Sequence, residues 1–197
     1  GDSLPAPDRV AALLDDLPRR AGRRSPTDAS ARSDATRLAE HARRLLTRLV
    51  PDATDAVDRA VDTIVERARR DATPRRLVHG DLYEAQVVVA GDYSLGLIDL
   101  DDLGVGDPAL DAANFCAHLI ALGQSVPAAW PRLVAYRALV RAAFLARLDI
   151  DPDALAWREA LASLLLASGP FRVLHPHWPR EVKRRVDLAL RLFADAS

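Results

Sequence analysis

The middle of the chain contains three short motifs: LVHGDLYEAQVVV at residues 77–89, LIDLDD at residues 97–102 and GDPALD at residues 106–111. Short apolar or β-branched runs alternate here with polar turns, a pattern typical of strands. Asp81 follows one such run and a glycine, in a loop where an acid can project into a cleft. Asp99 lies at the end of a later apolar run. We therefore predict a small β region that carries acidic side chains.

Helical periodicity flanks the β region on both sides. Before it, the apolar spacing predicts a helix from Pro7 to about Arg20, an exposed loop over 22–34, and helices over 38–49 and 52–70. After Pro108 it predicts helices over 109–122, 127–147, 153–167 and 179–194, with a break at Gly169 and Pro170. The pattern indicates an α+β, mainly helical fold in one domain, with a helical part at 1–75, the β region at 76–102 and a second helical part at 103–197.

The composition excludes several classes of partner. The chain has 197 residues, 49% of them hydrophobic, and its 27 basic and 28 acidic residues are scattered along it for a net charge of -1, which argues against a nucleic-acid or anionic-membrane surface. The chain has Arg-rich segments at 19–24, 67–76 and 180–191, but Asp71 interrupts the second and Glu181 and Asp187 the third, which favours solvated helix faces. No apolar run approaches the roughly 20 residues that span a bilayer. With Cys116 as its single cysteine, the chain is expected to be cytoplasmic.

The acids of the β region suggest a chemistry. If the run before Asp81 and the run that ends at Asp99 pair as a hairpin, their carboxylates can converge. Two carboxylates and an amide oxygen are hard ligands suited to Mg²⁺, which keeps several waters and bridges to substrate phosphates. This predicts phosphoryl transfer. Any one of these acids taken alone is more often structural, and Asp107, which is followed by Pro108 at the start of a helix, is predicted to be a helix cap.

Together the three motifs resemble the signature of the aminoglycoside phosphotransferase and choline kinase family, which has a protein-kinase-like fold. The resemblance covers roughly residues 77–115 and rests on the order and spacing of His79-Gly-Asp81-Leu, Gln86, Ile98-Asp99, Gly106-Asp107-Pro108 and Asp111. It implies that the chain is a kinase-like C-terminal lobe, in which a small β-hairpin insertion carries the catalytic loop.

The resemblance implies a role for each motif residue. Asp81 corresponds to the catalytic aspartate that orients the substrate hydroxyl and accepts its proton, and Asp99 to the aspartate that holds Mg²⁺ against the ATP phosphates. Gln86 stands where the family usually has an asparagine metal ligand, so the ion shifts or a water intervenes. The supporting residues are His79, Asp107 and Asp111, which brace the loop or cap a helix, and Asp101 and Asp102, which add negative charge nearby.

A family member that uses ATP also needs a lobe with a loop over the phosphates and a strand lysine paired with a helix glutamate. Only about 75 residues precede His79, and they are predicted to be helical; the only lysine, Lys183, follows the motifs. The segment Gly104-Val-Gly106 is too short and too late to be a phosphate loop. We therefore expect the ATP-binding N-terminal lobe to be absent and the isolated chain to be inactive.

Three functions remain open. The first is an ATP-dependent kinase whose complete chain phosphorylates a hydroxyl of a small polar metabolite or aminoglycoside-like compound. The second is a catalytically inactive kinase-like binding module, and the third is a purely structural helical scaffold, which leaves the clustered acids unexplained. His175 and His177 lack partners at zinc-ligand spacing, and together with Trp178 they are predicted to form a surface turn, with a wall of the substrate cleft as the alternative.

Overall fold

The structure, a computed structural model, describes residues 4–20, 34–92 and 94–195. Helices α1 (Pro7–Asp15), α2 (Leu17–Arg20), α3 (Ala35–Leu49) and α4 (Thr54–Arg70) precede the β region. The β region contains strands β1 (Arg76–Val78), β2 (Val87–Val89), β3 (Leu95–Leu97) and β4 (Gly104–Gly106). Helices α5 (Pro108–Ser125), α6 (Trp130–Leu148), α7 (Pro152–Ala167), α8 (Gly169–Arg172) and α9 (Trp178–Asp195) follow. The mainly helical α+β class predicted from the sequence is confirmed.

The strand pairing differs from the hairpin considered for the two acidic runs. β1, before Asp81, pairs antiparallel with β4, whereas β3, before Asp99, pairs with β2. A tight turn at Gly91 and Asp92 joins β2 to β3, so these neighbours pair locally, while the loop after β1 carries the chain away. The sequence did not predict β4, because two of its three residues are glycines, which are depleted in strands.

Helix boundaries mostly follow local signals. Asp34 caps α3 by accepting the Arg37 N–H at 3.0 Å, and Asp151 caps α7 by accepting the N–H groups of Asp153 and Ala154. The predicted break at Gly169 and Pro170 is instead the start of the short helix α8, because proline is accommodated in a first helical turn. The loop predicted at 22–34 lies, apart from Asp34, outside the described residues.

Two apolar clusters form the core. The first lies between α1, α5 and α6, where Phe115 meets Phe144 edge-on at 5.8 Å between ring centroids, and it includes the buried Cys116. The second lies between α3, α4, α7 and α9 and contains Leu46, Ile64 and Trp157. Helices α5 and α7 are apolar on most sides because they pack centrally between the other helices. No helix of the described residues is long and apolar enough to cross a membrane.

The fully buried Arg158 of α7 ties three elements together. Its Nε donates to Asp107 at 2.6 Å at the start of α5, and its Nη2 donates to Asp71 at 2.6 Å, just after α4. The remaining nitrogen, Nη1, donates to the Ala154 carbonyl at 2.8 Å. Since every nitrogen of this buried guanidinium is satisfied and both carboxylates are partly withdrawn from water, the ion bridge behaves as one unit.

Replacing Arg158 by leucine should destabilise the protein by about 3–5 kcal/mol, because the change leaves the Asp107 carboxylate buried without its counter-ion. Urea unfolding followed by circular dichroism measures this. Arg44→Leu, at an exposed position of α3, is the matched control and should change the free energy of unfolding by no more than about 0.5 kcal/mol. Equal losses in the two variants would contradict the importance of the bridge.

Candidate functional site

The loop that follows β1 is held from behind by α5. The Asp111 carboxylate, in the first turn of α5, accepts the backbone N–H of His79 at 2.6 Å and that of Gly80 at 3.0 Å. Gly80 has φ of 89°, a left-handed conformation that a residue with a Cβ rarely adopts. The glycine therefore lets the chain turn so that both N–H groups face one carboxylate, and Asp111 holds the loop from α5.

His79 connects this loop to the end of β3. Its Nε2 lies 2.9 Å from the Ile98 carbonyl, and its Nδ1 lies 3.4 Å from the backbone N of Asp81. One neutral tautomer satisfies both contacts, with Nε2–H as the donor and Nδ1 as the acceptor. Because Ile98 precedes Asp99, the buried imidazole fixes the backbone of Asp81 relative to the backbone that carries Asp99.

Asp81 faces a cavity of about 410 Å³. The Asn114 amide of α5 donates to Asp81 Oδ1 at 3.3 Å and to the Leu82 carbonyl at 3.0 Å, so it orients the carboxylate from the side. A cavity of this volume lies within the range of small-molecule sites. The sequence did not identify Asn114, which lies one helical turn beyond Asp111 on the same face of α5.

Asp99 is exposed and has φ of 59°, a left-handed conformation that aspartate tolerates better than most residues. Its Oδ2 accepts a hydrogen bond of 2.9 Å from the Nε2 of the buried Gln86. The structure thus brings together the two side chains that the sequence predicts to be metal ligands. It does not place Asp99 among the residues that line the cavity around Asp81.

The distance between the Gln86 and Asp99 side chains fits two adjacent ligands of a magnesium ion. A half-turn of the Gln86 amide exchanges Oε1 and Nε2, which places an amide oxygen 2.9 Å from Asp99 Oδ2. Adjacent oxygens on an octahedral Mg²⁺, each bound at 2.0–2.1 Å, are separated by about 2.9 Å. The described residues contain no group of three or more His, Cys, Asp or Glu side chains placed to hold a metal, so waters or phosphates would supply the other ligands.

The walls of the cavity add residues that sequence reasoning missed. The Tyr83 ring stacks on the His118 ring with 4.3 Å between centroids, which gives the cavity a flat aromatic side. His41 of α3 and Arg172 of α8 also line it, together with leucines of α3, α5 and α7. Tyr83 and His118 are far apart in sequence, and no local pattern signals that their rings meet.

The remaining predicted residues lie away from the cavity. Asp107 caps α5 by accepting the Ala109 N–H at 2.9 Å. Asp101 and Asp102 lie in the turn between β3 and β4. His175 and His177 are exposed in the turn before α9. Trp178 packs edge-on against Phe171 at 5.0 Å, so this aromatic residue covers the core beside α8 and is not a wall of the cavity.

Burial perturbs two carboxyl groups around the loop. It raises the pKa of Asp111 from 3.8 to about 7, against the opposing effect of the backbone N–H donors of His79 and Gly80, and the Asp81 charge contributes to the rise. Burial also raises the pKa of Glu84, whose Oε2 has no hydrogen-bond partner among the described residues. Glu84 Oε2 lies 3.8 Å from Nδ1 of His118, whose ring lines the cavity.

Comparison with known proteins identifies similar molecules. A model of the phosphotransferase enzyme family matches residues 6–157. The solved structure of a glucosamine kinase has a TM-score of 0.63 and 22% identity over 94% of this chain and 52% of that protein, a likeness of fold. A macrolide 2'-phosphotransferase type I gives a TM-score of 0.48 and 20% identity over 94% of this chain and 60% of that one. The chain thus spans about half the length of the glucosamine kinase. No curated protein matches it.

The raised pKa of Asp111 makes the stability depend on pH. The folded state retains a proton that the unfolded chain releases as the pH rises from 3.8 to about 7, so the contribution of Asp111 to the free energy of unfolding falls across this range. Asp111→Asn removes the titrating group and should flatten this part of the curve. Urea unfolding of both proteins between about pH 5 and pH 8 measures the difference, and parallel curves would contradict the assignment.

Proposed function

The chain belongs to the aminoglycoside phosphotransferase-like family, and from this premise we propose that it is the acceptor- and metal-binding lobe of an ATP-dependent small-molecule kinase. The acceptor is a hydroxyl of a small polar metabolite or an aminoglycoside-like compound. One observation carries the proposal: the Asp81 carboxylate lines a cavity while the His79 ring joins its loop to the backbone of Asp99. A structural scaffold has no need of this connection.

Asp81 is the general base in this proposal. It accepts the proton of the acceptor hydroxyl as that oxygen forms a bond to the γ-phosphorus of ATP and the bond between γ-phosphorus and ADP breaks. Two features support the role. Asn114 orients one carboxylate oxygen, and Asp111 holds the loop backbone, so the base is positioned before the substrate arrives. Such positioning matters because phosphoryl transfer depends mainly on orientation and charge neutralisation.

Asp99 and Gln86 are the proposed ligands of Mg²⁺. A bound Mg²⁺ neutralises charge on the ATP phosphates, which is its usual contribution to this reaction. The separation of 2.9 Å between the two side chains supports this assignment, and the exposure of Asp99 leaves room for the phosphates. Gln86 has a second role in this proposal, because its buried amide keeps the Asp99 carboxylate in one orientation.

The nucleotide needs groups that the described residues do not supply. Lys183, the only lysine, lies 2.8 Å from Asp52 and is committed to that ion pair on α9. Apolar side chains beside Asp99 are open to solvent: Ile98 is 46% and Leu100 is 44% exposed. We assign these surfaces to contacts with a separate ATP-binding lobe, in a complete protein that works in the cytoplasm, where the buried Cys116 stays reduced.

A kinase-like binding module is the second candidate. The observation that favours it is the orientation of Gln86, whose amide N–H and not its oxygen faces Asp99. In that orientation Gln86 stabilises the acid without any metal. An inactive module would bind small molecules in the cavity of about 410 Å³ without phosphorylating them.

Substitution of the proposed base separates the two candidates. In the complete protein, Asp81→Asn should lower kcat about 100- to 10,000-fold and leave the KM for ATP nearly unchanged, because only the proton acceptor is lost. Asp153→Asn, exposed in the first turn of α7, is the control and should retain full turnover. Turnover in Asp81→Asn equal to the wild type would remove Asp81 from the mechanism, and a complete wild-type protein without turnover would favour the binding module.

The metal site can be tested without activity. Mn²⁺ added to the 197-residue chain should broaden the amide NMR signals of Gln86 and of residues 98–100, because the paramagnetic ion substitutes for Mg²⁺. Asp99→Asn should require about tenfold more Mn²⁺ for the same broadening, and Asp153→Asn should match the wild type. Broadening that does not depend on Asp99 would exclude it as a ligand.

A further inference from the structure

A second depression, of about 900 Å³, lies between α8, α9 and the C-terminal end of α5. Its titratable lining is almost entirely basic: Arg172, His175, Arg180, Arg184 and Arg185, with Glu181 as the single acid. A solvated helix face would interleave opposite charges, as the rest of the chain does. The excess of guanidinium groups in one concave surface therefore calls for a specific explanation.

Glu181, the one acid that lines this depression, is already paired with two arginines. Glu181 lies 2.7 Å from Arg184 Nη2 and 3.6 Å from Arg180 Nη2. Neither Arg172 nor Arg185 has a carboxylate within 4.0 Å among the described residues. These two guanidinium groups therefore keep their charge available for a ligand.

Arg185 is the more constrained of the two. Its Nη1 donates to the Leu166 carbonyl at 3.3 Å and its Nη2 to Ser125 Oγ at 3.1 Å, while its Nε is buried without a hydrogen-bond partner. A Cβ at Gly169 would lie 3.2 Å from Nη1, so the glycine leaves room for the guanidinium. Burial, with a smaller effect of Arg184, lowers the pKa of Arg185. A half-buried cation held in place by neutral acceptors is a site that an anion would stabilise.

Arg172 connects this depression to the catalytic cleft. It lines the cavity that contains Asp81, the basic depression, and a smaller cavity of about 250 Å³ that also includes Glu84, His118 and Arg185. A compound whose hydroxyl lies at Asp81 therefore has Arg172 on the wall of the same cavity.

We propose that Arg172 and Arg185 form a binding site for an anionic group, a carboxylate or a phosphate ester, on the acceptor whose hydroxyl is phosphorylated at Asp81. This inference rests on the proposed function and narrows its substrate class to hydroxylated anions. The same guanidinium groups repel an ammonium group in that position, so a polycationic acceptor is disfavoured.

The test uses sugars of similar size and different charge. Binding of D-glucuronate, D-glucose 6-phosphate, D-glucose and D-glucosamine to the 197-residue chain is measured by isothermal titration calorimetry. Both anions should bind more tightly than glucose, and glucosamine most weakly. Whichever of the two anions binds more tightly shows whether the site prefers a carboxylate or a phosphate.

Substitution of the two arginines tests whether they cause the preference for anionic sugars. Arg172→Gln and Arg185→Gln should each weaken binding of the preferred anion about tenfold and leave glucose binding unchanged. Arg191→Gln, exposed farther along α9, is the matched control and should bind like the wild type. Because Arg172 is exposed, its variant should fold normally, which thermal unfolding verifies. Equal binding of all four sugars, no binding of any, or anion binding unchanged in both variants would overturn the proposal.

These measurements do not depend on phosphoryl transfer. Charge-selective binding that requires Arg172 and Arg185, in a complete protein without turnover, would refute the kinase function and retain the anion site. Turnover with no preference for anionic acceptors would refute the anion site and retain the kinase function. In an active complete protein, Arg172→Gln should raise KM for the anionic acceptor while kcat changes little, because the lost contact holds the acceptor equally in the ground state and in the transition state.

Discussion

The buried carboxylate of Asp111 is the contact on which the arrangement of the site depends. It accepts two successive backbone N–H groups, from His79 and Gly80, and so fixes the start of the loop that follows β1. One helical turn earlier, Asp107 joins the same helix to the buried Arg158. The first turn of α5 is thereby anchored to α7 on one side and to the loop after β1 on the other, so the loop takes its position from two centrally packed helices.

The cavity beside this loop combines groups of opposite character. Asp81 and Asn114 supply a carboxylate and an amide at one end, the stacked rings of Tyr83 and His118 supply a flat apolar surface, and Arg172 supplies a cation. Such a distribution suits a polar ligand that is recognised by direction as well as by charge. Asp99 and Gln86, the proposed metal ligands, lie outside these walls, as the proposed function requires if the acceptor and the nucleotide approach from different sides.

Several features of the fold and site were predictable from local sequence. The helices at α3, α4, α5 and α7 were found because apolar spacing and capping residues such as Asp107 act within a few positions. Strand β4 was not, since Gly104 and Gly106 have no strand preference and pair with β1 only through a long-range contact. The sequence also did not identify Asn114, His118 and Arg158. Local sequence does not show whether a polar residue within a helix is buried against a partner or exposed to solvent.

The sequence by itself determined the mainly helical class, the presence of a short β region and the family, because these depend on periodicity and on motifs whose residues are near neighbours. Only the tertiary structure decided that β1 pairs with β4, that Arg158 bridges Asp71 and Asp107, and that Arg172 and Arg185 have no carboxylate partner within the part of the chain that the structure describes. Those outcomes depend on which distant side chains meet when α5, α7, α8 and α9 pack. Local spacing does not identify a charge partner that is distant in the sequence, whereas packing determines both that partner and the exposure of the charge to water.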